Sequence, residues 1–480
     1  MESLTFALFG ATGDLAKRKI YPALYNLFIE NKLSLPFYVV GLGRKEIEQK
    51  AFQNQVRESI KEFSRQKPEE DSHFARFIES FDYCALDVTN KEDYQKLLSQ
   101  IKQAENNLGL SEENRMFYLS VAPEFFDVIA HNIKESGLGD TKGWKKLIIE
   151  KPFGHDLKTA QILNEKLSKS FKETEIYRID HYLGKAMVQN IEALRFANPF
   201  VESLWNNNHI ANIQFTASEV VGVEQRAAYY DNSGAIRDMV QNHMLQMLMM
   251  IAMEPSANNG DIRDEKIKAL KSIRPLQVEE VGEFVVRAQY GAGEMGDKAV
   301  VGYKEEPGVD PNSTTDTFVA AKFMVENARW SGVPFYIRTG KKMEKKSTQI
   351  VVEFKNLHDG KFENTHPNLF VIQINPTEGV SFLVNSKDVL KNGKIDTINV
   401  DHTESSTNVP EAYERLINDA ICGNSNFFAR WDEVEYSWKL VQPILDAFEK
   451  SLVVHEYPAG SQGPKAAHEL LEKDGFHWWE

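Results

Sequence analysis

The first 176 residues alternate short apolar runs with helix-period segments, and that alternation limits the fold more than any other feature. Apolar runs stand at Leu4–Phe9, Phe37–Val40, Phe81–Leu86, Arg115–Val121 and Lys146–Glu150. Helical patterns separate them, clearest at Asn90–Gln103, Glu124–Ser136 and Lys158–Ser170. Strands and helices taking turns in this way bury their apolar faces as a parallel, doubly wound sheet. Ile20, Leu24, Leu27 and Phe28 also lie at helical spacing, but Pro22 interrupts them, which predicts a kink or a late helix start.

After about residue 200 the rhythm changes. His209–Ala217, Glu283–Tyr290, Thr317–Val325, Pro334–Arg338, Thr348–Phe354, Leu369–Asn375, Val380–Val384 and Thr397–Val400 read as strands. Several alternate apolar and polar residues and are joined by turns, as in an antiparallel sheet with one solvated face. Helices are expected at Gly234–Met253, Pro410–Ile421 and Glu433–Lys450. The reading is therefore α/β followed by α+β: a Rossmann-like doubly wound domain over 1–176, then a domain with a large, mainly antiparallel sheet and helices over 177–480.

Bulk properties narrow the function. A formal charge of −14 argues against a nucleic-acid partner, while leaving room for an anionic small molecule if basic groups are gathered locally. No run of 18 apolar residues exists, so a membrane span is not expected. The start of the chain shows no secretory leader, and Cys84 and Cys422 supply neither a disulfide framework nor a zinc site; both point to the cytoplasm.

The first strand runs into Gly10-Ala11-Thr12-Gly13-Asp14-Leu15-Ala16-Lys17. Two glycines between a strand and a helix start allow a pyrophosphate close to the backbone at the helix N-terminus. The second strand ends in Gly41–Lys45 with no acidic residue at its tip, and Arg44 there suits the 2′-phosphate of NADP rather than the free ribose of NAD. The fifth strand closes in Glu150-Lys151-Pro152-Phe153-Gly154, which puts Lys151 at the crevice end of the sheet.

Two polar clusters follow. Arg178–Lys185 reads RIDHYLGK, with cations, a carboxylate, a histidine and Tyr182 around one glycine. Tyr230–His243 reads YDNSGAIRDMVQNH; its helix carries Ile236, Val240, Met244, Met247 and Ile251 on an apolar stripe, with His243 beside it. At 3.6 residues per turn, Asp238 lies about 140° around the helix from His243, so the two are not expected to share a face. Asp180 is then the candidate to orient His243, since a carboxylate on one ring nitrogen fixes the tautomer and stabilises the imidazolium. Glu219 and the turn Arg338–Lys346 complete the inventory. Four lysines within 341–346 read, on composition, as a solvated turn, and the methionines of 247–253 as adaptable core filling.

Taken together, GATGDLAK, EKPFG, RIDHYLGK and YDNSGAIRDMVQNHMLQ resemble the glucose-6-phosphate dehydrogenase family in its bacterial form, in order and along essentially the whole chain. The resemblance implies oxidation of glucose 6-phosphate at C1 with NADP as the hydride acceptor, NAD being a secondary possibility. It implies His243 as the base, Asp180 as its orienting partner, and His181, Tyr182 and Lys185 on the 6-phosphate and sugar. Glu219 and Asp238 match carboxylates that hold sugar hydroxyls, and Lys341 and Lys346 match substrate-contacting lysines, which reverses the reading of that turn as merely solvated. Gly10, Ala11, Thr12, Gly13, Asp14, Leu15, Lys17, Arg44, Tyr118 and Lys151 match cofactor-side positions, with Asp87 and Val88 beside them. Lys151, preceding a cis proline in the family, also serves the substrate side. A homodimer or homotetramer is implied; the second, structural NADP of larger members has no matching motif in the tail KDGFHWWE.

Two alternatives remain at this stage. Another NADP-linked sugar oxidoreductase with EKP after its fifth strand accounts for the first 155 residues, but not for RIDHYLGK or QNH. A non-catalytic nucleotide sensor is expected to lack His243 or Asp180, and both are present.

Overall fold

The protein is described from a computed structural model that covers residues 3–33, 35–257, 260–356, 365–388, 394–404, 408–450 and 452–480. It divides into two compact units, Met1–Gly184 with Ser406–Val434, and Lys185–Ser405 with Glu435–Glu480.

The first unit is built on six parallel strands: β1 (Leu4–Phe9), β2 (Phe37–Gly43), β3 (Phe81–Ala85), β4 (Arg115–Leu119), β5 (Lys145–Glu150) and β6 (Ile176–Ile179). Their spatial order, β3-β2-β1-β4-β5-β6, is that of the dinucleotide-binding doubly wound sheet. All six side chains of β1 are buried, because helices cover both faces of the sheet and no side of the strand meets water. The helical run begins at Asp14, ahead of Pro22; a π-helical stretch at Ala16–Ile20 leads into the α-helix Tyr21–Ile29, and Pro22 stands at that junction, where the wider turn replaces the late start the sequence allowed. A buried Arg115–Glu105 ion pair at 2.6 Å, with Thr5 Oγ1 donating to the same carboxylate at 2.9 Å, ties β1 and β4 to the helix Lys91–Leu108.

The compact units differ from the expected split at residue 176. β6 and the turn through Gly184 belong to the first unit, and so does the distant segment 406–434. The helix Ala412–Cys422 returns there because Glu414 is buried among its partners: Asn26 Nδ2 donates to it at 2.9 Å and Arg65 Nη2 at 2.8 Å. Leu416, Ile417 and Ala420 join the core formed with Leu24 and Phe28. Lys146 Nζ donates to the carbonyls of Ala420 (2.7 Å) and Ile421 (3.0 Å), neutralising the helix C-terminus.

The second unit carries a nine-stranded mixed sheet, mainly antiparallel, and a short hairpin. Its strands are β7 (Ile210–Ser218), β8 (Val285–Gly291), β9 (Gly293–Met295), β10 (Lys298–Val300), β11 (Phe318–Met324), β12 (Pro334–Gly340), β13 (Ser347–Phe354), β14 (Leu369–Asn375), β15 (Gly379–Asp388), β16 (Lys394–Thr403) and β17 (Val454–Pro458). The order is β16-β15-β14-β13-β7-β12-β11-β8-β17, with β9 and β10 paired separately. Two neighbours are parallel, β12 with β7 and β17 with β8.

Every residue of the helix Leu245–Ala252 is buried, which bears out the methionines as core. Its last carbonyls are satisfied from outside: Arg195 Nη1 donates to Met250 O (3.1 Å) and Met253 O (2.7 Å), and Trp205 Nε1 to Ile251 O (3.0 Å). No helix among the described residues is long and apolar enough to cross a membrane.

Candidate active site

In the first unit, a cavity of about 650 Å³ opens at the C-terminal ends of β1 to β4, with Gly10, Thr12, Arg44, Asp87 and Val88 on its wall. This is the crevice where the strand order reverses between β1 and β4, the place where such sheets bind nucleotides. Gly10 has φ +83°, and a Cβ there would lie 2.0 Å from Ser120 O. The β1 turn therefore lies against the end of β4 as only glycine allows. Its amides are held by Leu42 O, which accepts from Gly10 N at 3.0 Å and Ala11 N at 3.1 Å.

The other residues of the turn are placed differently. Ala11 is buried, and its carbonyl accepts from Tyr21 Oη at 2.5 Å. Asp14 pairs with Arg18 at 2.8 Å on the first helical turns, and Gly13, Leu15 and Lys17 are half-buried around it. Asp87 is held below the usual carboxylate range chiefly by the amide and hydroxyl of Thr89, with Arg44 adding to this.

Tyr118, a cofactor-side candidate, is fully buried, and its phenol donates to Glu150 Oε1 at 2.5 Å. Tyr413, from the returning helix, donates to the other oxygen at 3.5 Å. Burial pushes the Glu150 carboxyl up to about 7, the two phenols and Lys151 pulling it down and Asp180 pushing it further up. Lys151 follows directly, in a cis bond to Pro152.

β6 ends in Ile179, and Asp180 begins a tight turn in which its Oδ1 accepts from Tyr182 N at 2.9 Å and its carbonyl from Leu183 N at 3.0 Å. Asp180 is buried; His181 and Tyr182 are half-buried, their rings 5.0 Å apart. Gly184 is where the helix Ala412–Cys422 closes on the turn, since a Cβ would come within 2.6 Å of Ala412 O. Arg178 serves the fold: it is buried, paired to Glu173 at 2.6 Å, and bonded to Asn164 at 2.9 Å.

In the second unit the candidates fall into three groups. Glu219 and Lys341, at the C-terminal ends of the parallel neighbours β7 and β12, pair at 2.5 Å, and the ammonium lies 4.8 Å from the centre of the Tyr230 ring. Lys185, at the start of the helix Ala186–Phe196, has its ammonium pushed below the usual lysine range by burial, against Glu378 and with the help of Lys346. Two cations on one side of this unit thus share a field. Asp238 and His243 form the third group.

The expected geometry of that third group is corrected. Residues Ile236–Met244 are π-helical, and only Leu245–Ala252 is α-helical. With i→i+5 bonding the turn is wider, so residues five apart are offset by only about 50°, and Asp238 and His243 lie on one side of the helix instead of about 140° apart. Asn242 Nδ2, bonding back to Arg237 O at 2.8 Å, follows the same five-residue interval. His243 is buried. Both π-helical stretches, at 16–20 and 236–244, fall on motifs singled out for chemistry, which is where such bulges concentrate.

Comparison with known proteins decides the family. The model of the "Glucose-6-phosphate dehydrogenase, NAD binding domain" matches residues 7–190, and that of the "Glucose-6-phosphate dehydrogenase, C-terminal domain" matches 192–479. The chain belongs to the glucose-6-phosphate dehydrogenase family. It is 48% identical to glucose-6-phosphate 1-dehydrogenase of Bacillus subtilis (strain 168), with 98% of this chain and 97% of that protein covered. The Leuconostoc mesenteroides enzyme is 40% identical, with 98% and 97% covered. Among solved structures, a glucose-6-phosphate dehydrogenase in complex with its substrate glucose-6-phosphate superposes with a TM-score of 0.92 at 34% identity, covering 100% of this chain and 99% of that one. The Mycobacterium avium glucose-6-phosphate 1-dehydrogenase gives a TM-score of 0.84 at 32% identity, with the same coverage. A match through both halves leaves no ground for a relative that shares only the nucleotide-binding half.

As a glucose-6-phosphate dehydrogenase family member the chain uses a nicotinamide cofactor, and the crevice fits one. Gly10 leaves backbone room that any larger residue would fill, and the turn leads straight into a helix start. Sequence reasoning missed Glu150 and Tyr413. The first had a signal, its place in EKPFG; the second meets Glu150 only through space, 263 residues away in the chain.

Proposed function

We propose that this chain oxidises D-glucose 6-phosphate at C1 to 6-phospho-D-glucono-1,5-lactone, using NADP as coenzyme in preference to NAD, in the cytoplasm and as a homodimer or homotetramer. The observation that carries the reaction is the match of both family models across residues 7–190 and 192–479. NADP, when bound, accepts the hydride from C1.

The remaining chemistry belongs to the side chains. His243 takes the proton of the C1 hydroxyl, because an imidazole titrates near the operating pH and can accept it without a strong driving force. Asp180 orients that imidazole and offsets the positive charge it gains. Asp238, on the same side of the π-helix, and Glu219 hold sugar hydroxyls. Lys341 aims the Glu219 carboxylate, and its 2.5 Å ion pair supports that role.

His181, Tyr182, Lys185 and Lys346 receive the 6-phosphate. The burial that lowers the Lys185 ammonium, with Lys346 adding to it, supports this, since such a cation is favoured by a dianion beside it. A dianion there repays the burial of Lys185, and binding energy gained at the phosphate is available to orient C1. Lys151 bridges coenzyme and substrate. Arg44, exposed on the crevice wall, receives the 2′-phosphate, with Gly10–Lys17, Asp87 and Val88 around the rest of the nucleotide.

The test is a spectrophotometric assay of NADPH and NADH formation with glucose 6-phosphate and with free glucose. The proposal expects a kcat/KM higher by at least 100-fold for the phosphorylated sugar, and higher for NADP than for NAD. Equal rates with the two sugars would refute the phosphate site, and equal use of the two coenzymes would refute the assignment of Arg44.

A further inference from the structure

Asp316 stands two residues before β11, 73 positions beyond His243 in the chain, yet it holds the start of the helix that carries His243. Its backbone carbonyl accepts from Ala235 N at 2.9 Å and from Tyr230 Oη at 3.2 Å. Its carboxylate Oδ2 accepts from Ile236 N at 3.0 Å. Gly234, with φ +69°, lets that carboxylate sit against the turn, because a Cβ there would lie 2.7 Å from Asp316 Oδ1. The N-terminal residue Ala235 makes no side-chain cap of its own. Asp316 supplies from across the unit what a local serine or aspartate supplies elsewhere.

The adjacent residue fixes the facing group. Thr317 O accepts from Lys341 N at 3.0 Å, and Tyr457 Oη, 3.2 Å from Thr317 Oγ1, donates to Lys341 O at 2.6 Å. Two consecutive residues therefore secure both the π-helix with Asp238 and His243 and the backbone of the lysine that pairs with Glu219.

We propose that Asp316 is a positioning residue for the dehydrogenation, setting the origin of the 236–244 π-helix in register with the Lys341–Glu219 pair. The inference rests on the reading of His243 as the base. The carboxyl is held here at a cost: burial raises it to about 6 against the Ile236 amide, Arg287 and Arg237. Packing alone would be served as well by an apolar residue, so the carboxylate is accounted for by the bond it makes to Ile236.

Asp316→Ala and Asp316→Asn separate positioning from mere stability. With glucose 6-phosphate, Asp316→Ala is expected to lower kcat by about 10–100-fold, the scale for a catalytic group displaced by around an ångström. The KM for the coenzyme, which binds to the other unit, should stay at the wild-type value. Asp316→Asn keeps an acceptor for Ile236 N and should recover to within about 5-fold of wild type, the difference between a charged and a neutral hydrogen bond. A wild-type kcat in Asp316→Ala with only a lowered melting temperature would overturn the proposal. So would equal impairment by both substitutions. Should Asp316→Ala fail to fold, Asp316→Leu decides, since it fills the space but offers Ile236 N no acceptor: faster amide exchange at Ile236 together with a lower kcat supports positioning, and a wild-type kcat refutes it. A wild-type protein inactive on glucose 6-phosphate would instead refute the functional reading, so the two failures are distinct.

Discussion

Gly10→Ala tests the coenzyme cradle at its tightest point. The new Cβ would lie 2.0 Å from Ser120 O, 2.8 Å from Ser120 C and 3.2 Å from Val121 Cγ1. Backbone atoms cannot rotate away as a side chain could, so the β1 turn must retreat by at least about 1 Å to regain an ordinary contact. A donor at 2.7–3.2 Å from a phosphate oxygen then stands near 4 Å, outside hydrogen-bond range. Losing one charge-assisted bond costs about 1.5–3 kcal/mol, or roughly 10–150-fold in affinity. Coenzyme titrations and the coenzyme KM should therefore rise by that factor, while the KM for glucose 6-phosphate at saturating coenzyme stays put.

Gly109→Ala is the control. Gly109 has φ +69°, a conformation equally disfavoured for alanine, but no atom lies within 4 Å of the added Cβ. It should lose about 1–2 kcal/mol of stability and leave coenzyme affinity unchanged. Wild-type coenzyme binding in Gly10→Ala would refute the cradle.

Three further outcomes follow from the site. Lys185→Ala should raise the KM for glucose 6-phosphate by about 10–100-fold and leave the weak rate with free glucose unaltered, since only the phosphate contact is lost; parallel effects on both sugars would exclude a phosphate role. Arg44→Ala should weaken NADP by about 10-fold or more and NAD little, as measured by KM ratios. Glu150→Gln concerns pH: the carboxyl is raised from 4.5 to about 7 in the fold, so its contribution to stability is fully present below the unfolded value and is lost as pH rises through 7. The variant should therefore lose less stability than wild type between pH 5 and 8 in denaturant titrations, and an unchanged pH slope would contradict the buried placement.

Much of the architecture was legible in the sequence. The strand runs of the first unit stand out because a sheet buried on both faces needs unbroken apolar stretches, as in β1. Local pattern could not show that the helix Ala412–Cys422 rejoins that unit, because what draws it back is a set of partners for Glu414 placed 349 and 388 residues away. β6 was hidden inside a polar motif, its last residues Arg178 and Ile179 leading straight into Asp180. Asp238 and His243 were set apart by assuming 3.6 residues per turn, which the π-helix does not obey. Composition could not sort the lysines of 341–346: Lys341 is half-buried on Glu219, while Lys345 and Lys346 are exposed. Asp316 left no trace in the sequence, since its bond to Ile236 spans 80 residues.

The central claim is that His243 is the base for C1 oxidation, and His243→Asn measures it most directly. In a single-turnover assay with saturating glucose 6-phosphate and NADP, the rate of coenzyme reduction is predicted to fall by about 10²–10⁴-fold, the usual share of a general base, with coenzyme affinity unchanged. A wild-type rate in that variant would contradict the assignment.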